Sequence, residues 1–131
     1  MDAVVHFEMP YDDAGRVAAF YRSAFGWATE PLGAEMGHYV LATTTATDAK
    51  GPTTPGAING GFFQRSADMP AQVPSVVISV ADIRASMEKV KSAGGNVLGE
   101  PMEIPGVGKY VSFMDPEGNR VSMLQPLPRQ G

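Results

Sequence analysis

Residues 6–27 and residues 75–96 follow the same order of residue types, at an offset of 69 positions. Asp13 aligns with Asp82, and each stretch reads as a strand, an aspartate, an amphipathic helix and a glycine. Such internal similarity is the strongest constraint in the sequence, because it restricts the chain to a fold built from two copies of one small unit.

A shorter similarity supports the repeat, since the run GHYV at 37–40 resembles the run GKYV at 108–111. The total of 131 residues fits one domain. We therefore predict a single domain of two modules, with these limits: module 1 at about 3–64, a connection at 65–74, module 2 at about 75–126 and a tail at 127–131.

The first module is expected to open with a strand near residues 4–9 and to continue with a helix over Ala14–Phe25. Asp12 or Asp13 can cap this helix by accepting from backbone N–H groups of its first turn. One apolar stripe suits a helix that lies on a sheet. The predicted stripe comprises Val17, Tyr21 and Ala24, with Phe20 and Phe25 beside them.

Two further strands are expected near 38–44 and 57–64. Between them lies the stretch TATDAKGPTTPG at 45–56, which is polar and interrupted by glycine and proline. This composition predicts a mobile loop or a lid.

The second module is expected to start with a strand near 76–80 and a helix over 83–93 that Asp82 caps. Its predicted apolar stripe comprises Ile83, Met87 and Val90. A short strand near 96–99 follows, and then a hairpin whose strands, at 108–114 and 120–125, are joined by the run DPEGN. Aspartate, proline and glycine stand there at the first, second and fourth positions that a type I turn favours.

Alternation along the first strand of each module separates two faces. His6 and Glu8 alternate with Phe7 and Met9, and we expect the bulkier apolar set to face the helix. In the second module the corresponding polar face carries Ser75, Val77 and Ser79. The sequence thus predicts an α+β fold of two tandem βαβββ modules that form a curved sheet around a concave cleft, with the helices outside. Such clefts are common ligand sites.

Composition excludes several functions. The net charge is −4 and no basic run exists, which argues against nucleic-acid binding. The absence of cysteine excludes disulfides, a thiolate nucleophile and a zinc finger. No apolar run approaches the roughly 20 residues that cross a bilayer, and no signal peptide is visible. We expect a cytoplasmic protein with no membrane partner.

Several stretches resemble the vicinal oxygen chelate superfamily, which includes glyoxalase I, bleomycin-resistance proteins and extradiol dioxygenases. The stretches are VHFEMPYDD (5–13), AAFYRSAFGW (18–27), GAINGG (56–61), VISVADI (77–83) and VGKYVSFMDPEGNRVSMLQP (107–126). They are similar to the subgroup described as related to lactoylglutathione lyase. The resemblance covers nearly the whole chain and implies a fold that supports many different reactions.

The resemblance also implies positions for a metal, at the start of the first strand and the end of the last strand of each module. These positions fall on His6, on Ser75, on Ser122 and on one residue near 59–61. Only His6 matches the ligands that the family uses there. A catalytic divalent metal needs about three imidazole or carboxylate ligands. Glu8 could be a second ligand, and no third is evident, so we predict no cofactor and keep a weakly held divalent metal as the alternative.

Each candidate residue also has a structural interpretation. His6 is either a hydrogen-bonded polar residue of a strand or a ligand contact, and Glu8 is either a solvated carboxylate or a general base. His38 reads as a surface residue at a strand end, and Trp27 as a residue packed under the sheet. Tyrosines and phenylalanines of the predicted strands read as core, namely Tyr39, Phe62, Phe63, Tyr110 and Phe113.

Two functions remain open from the sequence. In the first, the cleft binds a small organic molecule without a metal, and its walls comprise His6, Glu8, Ser75, Val77, Tyr110, Ser122 and Leu124. In the second, the protein is a lyase or isomerase in which Glu8 or His6 removes a proton beside a carbonyl group. An interaction module without a small ligand is a third interpretation. Exposed sheet edges favour a two-fold homodimer in each case.

Overall fold

The computed structural model describes residues 1–128, and the predicted tail at 127–131 lies outside these residues from position 129 onward. The chain divides into two compact units. The first unit comprises residues 6–74, and the second comprises residues 1–5 together with the described residues from Ser75 onward. The expectation of a single domain stays a prediction.

The first unit has the order βαβββ, with a small hairpin inserted before its last strand. Its elements are β1 (Val4–Tyr11, of which the first two residues belong to the second unit), α1 (Ala14–Phe25), β2 (Ala28–Pro31), β3 (Val40–Thr43), the hairpin strands β4 (Thr47–Asp48) and β5 (Gly51–Pro52), and β6 (Asn59–Gln64). The sheet order is β2-β3-β6-β1, and only β1 and β6 run parallel.

The second unit repeats this plan. Its elements are β7 (Ser75–Ser79), α2 (Ile83–Ser92), β8 (Asn96–Ile104), β9 (Gly108–Met114) and β10 (Arg120–Pro126). The sheet order is β7-β10-β9-β8, with β7 and β10 parallel. The predicted α+β class and the two βαβββ modules are therefore confirmed.

Helix limits follow the capping signals of the sequence. Asp13 caps α1 by accepting from the Arg16 N–H at 2.9 Å, and Gly26 ends it in a left-handed conformation with φ 75°. Asp82 caps α2 in the same way, accepting from the Ala85 N–H at 3.1 Å. The α1 limits agree with those predicted, and α2 ends one residue before its expected end.

Each helix packs on one face of the sheet of its own unit. The first core is aromatic, and the Tyr21 and Trp27 rings stack with centroids 4.5 Å apart. Its buried members are Tyr11, Val40, Ala42 and Phe62, with Phe7, Met9, Ala14, Val17, Tyr21 and Trp27 packed against them. The second core is aliphatic, with Val80, Ile83, Met87, Val111 and Met123 buried. The predicted positions of Trp27 and of the α2 stripe are confirmed.

Three expectations of local structure need correction, and one strand was not expected. The α1 stripe is narrower than predicted, because Phe20 and Phe25 are 57% and 65% exposed and Ala24 is also exposed. The strand expected at 96–99 continues to residue 104 as β8. Strand β2 was not predicted, and the expected loop at 45–56 contains β4 and β5.

Candidate functional site

The polar face of the first unit is the side of the β2-β3-β6-β1 sheet that α1 does not cover. His6 and Glu8 lie on this face of β1, because their neighbour Phe7 packs into the core. Glu8 is only 5% exposed, and His6 is half-buried. The strand pattern of the sequence thus placed these two side chains on one face, as expected.

Tyr39 is the partner of His6. The His6 Nε2 atom and the Tyr39 hydroxyl oxygen are hydrogen-bonded at 2.9 Å, and the two rings lie within 21° of parallel. Burial lowers the pKa of His6 below its ordinary value of 6.5, while the nearby negative charge of Glu8 raises it to a smaller extent. His6 is therefore a neutral imidazole at neutral pH.

Gly61 makes this contact between Tyr39 and His6 feasible. A Cβ atom at position 61 would lie 2.1 Å from the Tyr39 ring and 2.3 Å from its hydroxyl, so any side chain there would displace the ring. In the ladder, Gly61 stands beside Glu8 on one side and beside Leu41 on the other. The sequence analysis assigned Tyr39 to the core and missed this role.

The remaining predicted wall residues lie in the second unit, on the face of its sheet that α2 does not cover. Ser122 is 1% exposed, and its Oγ is hydrogen-bonded to the Tyr110 hydroxyl at 2.7 Å and to Ser112 Oγ at 2.8 Å. Val77 stands beside Ser122 in the ladder, and Leu124 stands beside Tyr110. The structure therefore joins these four predicted residues and adds Ser112 to them.

Two more side chains lie on this face of the second unit. The Ser75 Oγ atom is buried and has no hydrogen-bond partner within the described part of the chain. Arg120, which the sequence analysis did not single out, is 5% exposed. A buried arginine carries no periodic signal, which is why the sequence did not reveal it.

The two ladders show which positions of the repeat correspond. Glu8, Gly61 and Leu41 stand side by side in the first unit, as Val77, Ser122 and Ser112 do in the second. Glu8 and Val77 are 69 positions apart, and Leu41 and Ser112 are 71 positions apart, so these pairs reproduce the two offsets found in the sequence. Gly61 is therefore the repeat mate of Ser122, which resolves the position that the sequence placed only near residues 59–61.

Comparison with known proteins identifies the family. The sequence model of the glyoxalase/bleomycin resistance protein/dioxygenase superfamily matches residues 3–123. This chain belongs to that superfamily. Among curated relatives, CFP32 of Mycobacterium tuberculosis, which carries a provisional glyoxylase name, is 42% identical over 55 residues, covering 42% of this chain and 21% of CFP32. The chain thus spans about a fifth of that relative's length.

Two other matches cover most of the chain. A glyoxylase-like domain-containing protein of Didymella fabae is 30% identical over 115 residues, covering 86% of this chain and 84% of the relative. The methylmalonyl-CoA epimerase of Mycobacterium tuberculosis has a TM-score of 0.66 at 15% identity, covering 95% of this chain and 88% of that one. The second likeness shows a common fold.

The superfamily's metal positions do not suit a divalent metal in this member. They hold the imidazole of His6, the bare backbone of Gly61, the buried hydroxyl of Ser75, and the Ser122 hydroxyl, which Tyr110 and Ser112 already engage. Within residues 1–128, no three side chains of the histidine, aspartate and glutamate types are grouped closely enough to hold one ion. Such sites need about three such ligands.

The described residues contain two α-helices, α1 and α2. Neither α1 nor α2 has the length and apolar character of a helix that crosses a bilayer.

Proposed function

We propose that this superfamily member binds a small organic molecule at the polar face of its first unit, without the divalent metal of other members. The observation that carries the proposal is the fixed pair of His6 and Tyr39 beside the buried Glu8. Ligand sites combine a mainly apolar lining with a few oriented polar groups. Leu41 and Phe63 supply apolar surface here, since their ladder positions put them on the same face.

Thermal melts of the metal-stripped protein test this function. The compounds are a panel of small aromatic and drug-like molecules, together with methylmalonyl-CoA, with which an epimerase of the same fold has been solved. A ligand at 100 times its Kd stabilises the folded state by about 2.7 kcal/mol. We expect stabilisation of the wild type by at least one compound, and its loss in His6→Asn.

His38→Asn is the matched control, because His38 is the only other histidine and is exposed. Its left-handed backbone, with φ 57°, accepts asparagine readily. A compound that stabilises His6→Asn as strongly as the wild type would place the ligand elsewhere. If Ni, Zn, Mn, Fe(II) or Mg raised the Tm of wild type but not of His6→Asn, the metal-free part of the proposal would be wrong.

A lyase or isomerase is the second candidate, and the neutral state of His6 favours it. A neutral imidazole nitrogen, or the Glu8 carboxylate, can take a proton from carbon next to a carbonyl group while the electron pair moves to the carbonyl oxygen as an enolate. The proton then returns to carbon.

Exchange of the α-proton of methylmalonyl-CoA in D2O, followed by NMR, measures this reaction directly. Glu8→Gln should slow the exchange by at least 100-fold if Glu8 is the base, since general bases contribute about 10²–10⁴-fold. Glu117→Gln, in the exposed turn after β9, is the control and should leave the rate unchanged. Exchange that survives in both Glu8→Gln and His6→Asn would exclude this mechanism.

We also infer a two-fold homodimer and a cytoplasmic location. Strands β2 and β8 are the last strands of their sheets, and unpaired edges are usually covered. Light scattering on the purified protein should give twice the chain mass of 13.9 kDa. A mass of one chain would contradict the dimer, and recovery of the protein in a membrane or extracellular fraction would contradict the location.

A further inference from the structure

We propose that Tyr39 is a positioning residue for His6. Its hydroxyl donates to His6 Nε2, so that the ring proton resides on Nδ1 and His6 meets a ligand as an N–H donor. This inference extends the proposed function. Only its statement about the ligand class rests on that function, and the role of Tyr39 does not. The consequence is a ligand class, namely molecules that present a carbonyl or similar acceptor oxygen.

The backbone around Tyr39 is fixed from several directions. The Leu32 N–H donates to the Tyr39 carbonyl at 2.8 Å, and the Tyr11 hydroxyl donates to the His38 carbonyl at 2.5 Å. His38 itself is left-handed, with φ 57°. This conformation costs a residue with a side chain about 1–2 kcal/mol, and such strain persists only where the surroundings impose it. The strained residue directly precedes Tyr39, and asparagine accepts the same left-handed backbone, so His38→Asn keeps this conformation.

The space for the ring comes from the opposite strand. Gly61 is the repeat mate of Ser122, whose hydroxyl lies at the centre of a hydrogen-bonded set in the second unit. In the first unit β6 provides no side chain at this position, and the Tyr39 phenol occupies the place instead. A hydroxyl thus stands at this point of both ladders, and it comes from the segment before β3 in the first unit and from β10 in the second.

Either Tyr39 or His6 can donate in this hydrogen bond, and we assign the Tyr39 hydroxyl as the donor. A neutral imidazole has one acceptor nitrogen and one N–H, and the nitrogen that faces a hydroxyl donor becomes the acceptor. The groups that act on His6 are Glu8 from its own strand and Tyr39 from the segment before β3, while the uncharged Asn59 is its ladder neighbour on β6. With Nε2 engaged by Tyr39, the Nδ1–H is the group that His6 presents to a ligand.

Nitrogen NMR of the imidazoles tests the positioning role without any ligand. The chain has two histidines, so His38→Asn assigns the His6 signals. In the wild type we expect an unprotonated Nε2 and a protonated Nδ1. Tyr39→Phe should shift the proton towards Nε2, because the imidazole then loses the hydroxyl that holds Nε2 unprotonated. A protonated Nε2 in the wild type, or signals that Tyr39→Phe leaves unchanged, would overturn the proposal.

Two further variants separate this role from general stability. Tyr21→Phe removes the same atom from a tyrosine whose hydroxyl contacts the Met9 sulfur on the α1 side, and it should leave the His6 signals unchanged. Gly61→Ala should reproduce the Tyr39→Phe spectrum, because its Cβ displaces the ring. Gly15→Ala is its control, since a Cβ there has an ordinary contact of 3.5 Å. A Gly61→Ala spectrum like that of the wild type would contradict the proposal, even if Tyr39→Phe failed to fold.

Acetophenone and 1-phenylethylamine test the ligand class, because they share a carbon skeleton and differ in offering an acceptor or a cationic donor. Acetophenone should move the Nδ1–H signal of His6, and His6→Asn should weaken its binding about tenfold. The amine should not move that signal. A response to the amine alone, or to neither compound, would exclude the acceptor-oxygen class, while the tautomer result would still decide the role of Tyr39.

Discussion

The two units share one plan of strands and differ in the chemistry of the face that their helices leave uncovered. In the first unit that face carries an imidazole and a carboxylate, and in the second it carries hydroxyls. The corresponding positions are His6 and Ser75, Glu8 and Val77, Gly61 and Ser122, and Tyr39 and Tyr110. Packing against the helix determines the topology in both units, so the opposite face is free to diverge towards function.

The largest expected effects come from the two cores, which are aromatic in one unit and aliphatic in the other. Phe62→Ala should destabilise the protein by about 3–5 kcal/mol, and Ile83→Ala by about 2–5 kcal/mol, because both side chains are fully buried. Urea unfolding followed by fluorescence and by circular dichroism measures both. Phe20→Ala, at an exposed position, should cost less than about 0.5 kcal/mol. Equal costs for Phe62→Ala and Phe20→Ala would contradict the assigned core.

The hydroxyl set of the second unit should depend on its central member. Ser122→Ala leaves the Tyr110 and Ser112 hydroxyls without their shared partner, and should cost about 1–3 kcal/mol. Ser112→Ala removes an end member and should cost about 0.5–1.5 kcal/mol. Calorimetric melts compare the two variants. If Ser112→Ala were the more destabilising, the hydrogen-bonding order described above would be wrong.

Acidification should affect the first unit through His6, whereas the second unit has serine at the same place. The folded-state pKa of His6 is below 6.5, so the unfolded chain takes up its proton first as the pH falls. The stability due to neutral His6 is therefore complete above 6.5 and decreases as the pH falls through the folded-state pKa. The free energy of unfolding falls by about 1.4 kcal/mol for each pH unit that separates the folded-state pKa of His6 from 6.5.

Unfolding in urea at a series of pH values from about 7.5 to 5 measures this loss. His6→Asn should flatten the profile over that range, and His38→Asn should retain the dependence that arises from His6. An unchanged slope in His6→Asn would mean that other groups cause the acid sensitivity.

The smallest effect on stability is expected where the units differ in loop length. A long hairpin arm joins β3 to β6, and Asn59 holds its base by accepting from the Thr44 N–H and donating to Thr47 Oγ1, both at 2.8 Å. The corresponding turn after β9 is short, and Asp115 holds it by accepting from the N–H groups of Glu117 and Asn119. Asn59→Ala should loosen the arm with little change in Tm.

Limited trypsin digestion measures this loosening, because Lys50 is the one lysine or arginine between Arg22 and Arg65. Cleavage after Lys50 should accelerate several-fold in Asn59→Ala, while cleavage after Lys91, in α2, serves as the internal control. Equal acceleration at both positions would indicate general unfolding and would contradict the local role of Asn59.

The sequence predicted those features that depend on local signals. Helix α1 was located correctly because Asp13 begins it and Gly26 ends it, and the hairpin of β9 and β10 followed from its turn residues. Strand β2 was missed because its residues, ATEP, show no apolar alternation and include a proline. Its place depends on pairing with β3, which local sequence does not encode.

The candidate site was predicted only in part, for the same reason. His6 and Glu8 could be placed on one face from strand periodicity alone. The contact between Tyr39 and His6 could not be predicted, because it depends on the missing side chain of Gly61, which lies 22 residues further along the chain. The shared tyrosine of the runs GHYV and GKYV was the one signal that pointed to it.

The most direct test of the central claim is an NMR titration of the metal-stripped protein with each compound that raises its Tm. The account predicts that the imidazole signals of His6 move with the same Kd that calorimetry gives, while those of His38 stay in place. Saturable binding by calorimetry that leaves the His6 signals unmoved would contradict the claim that this face of the first unit is the ligand site.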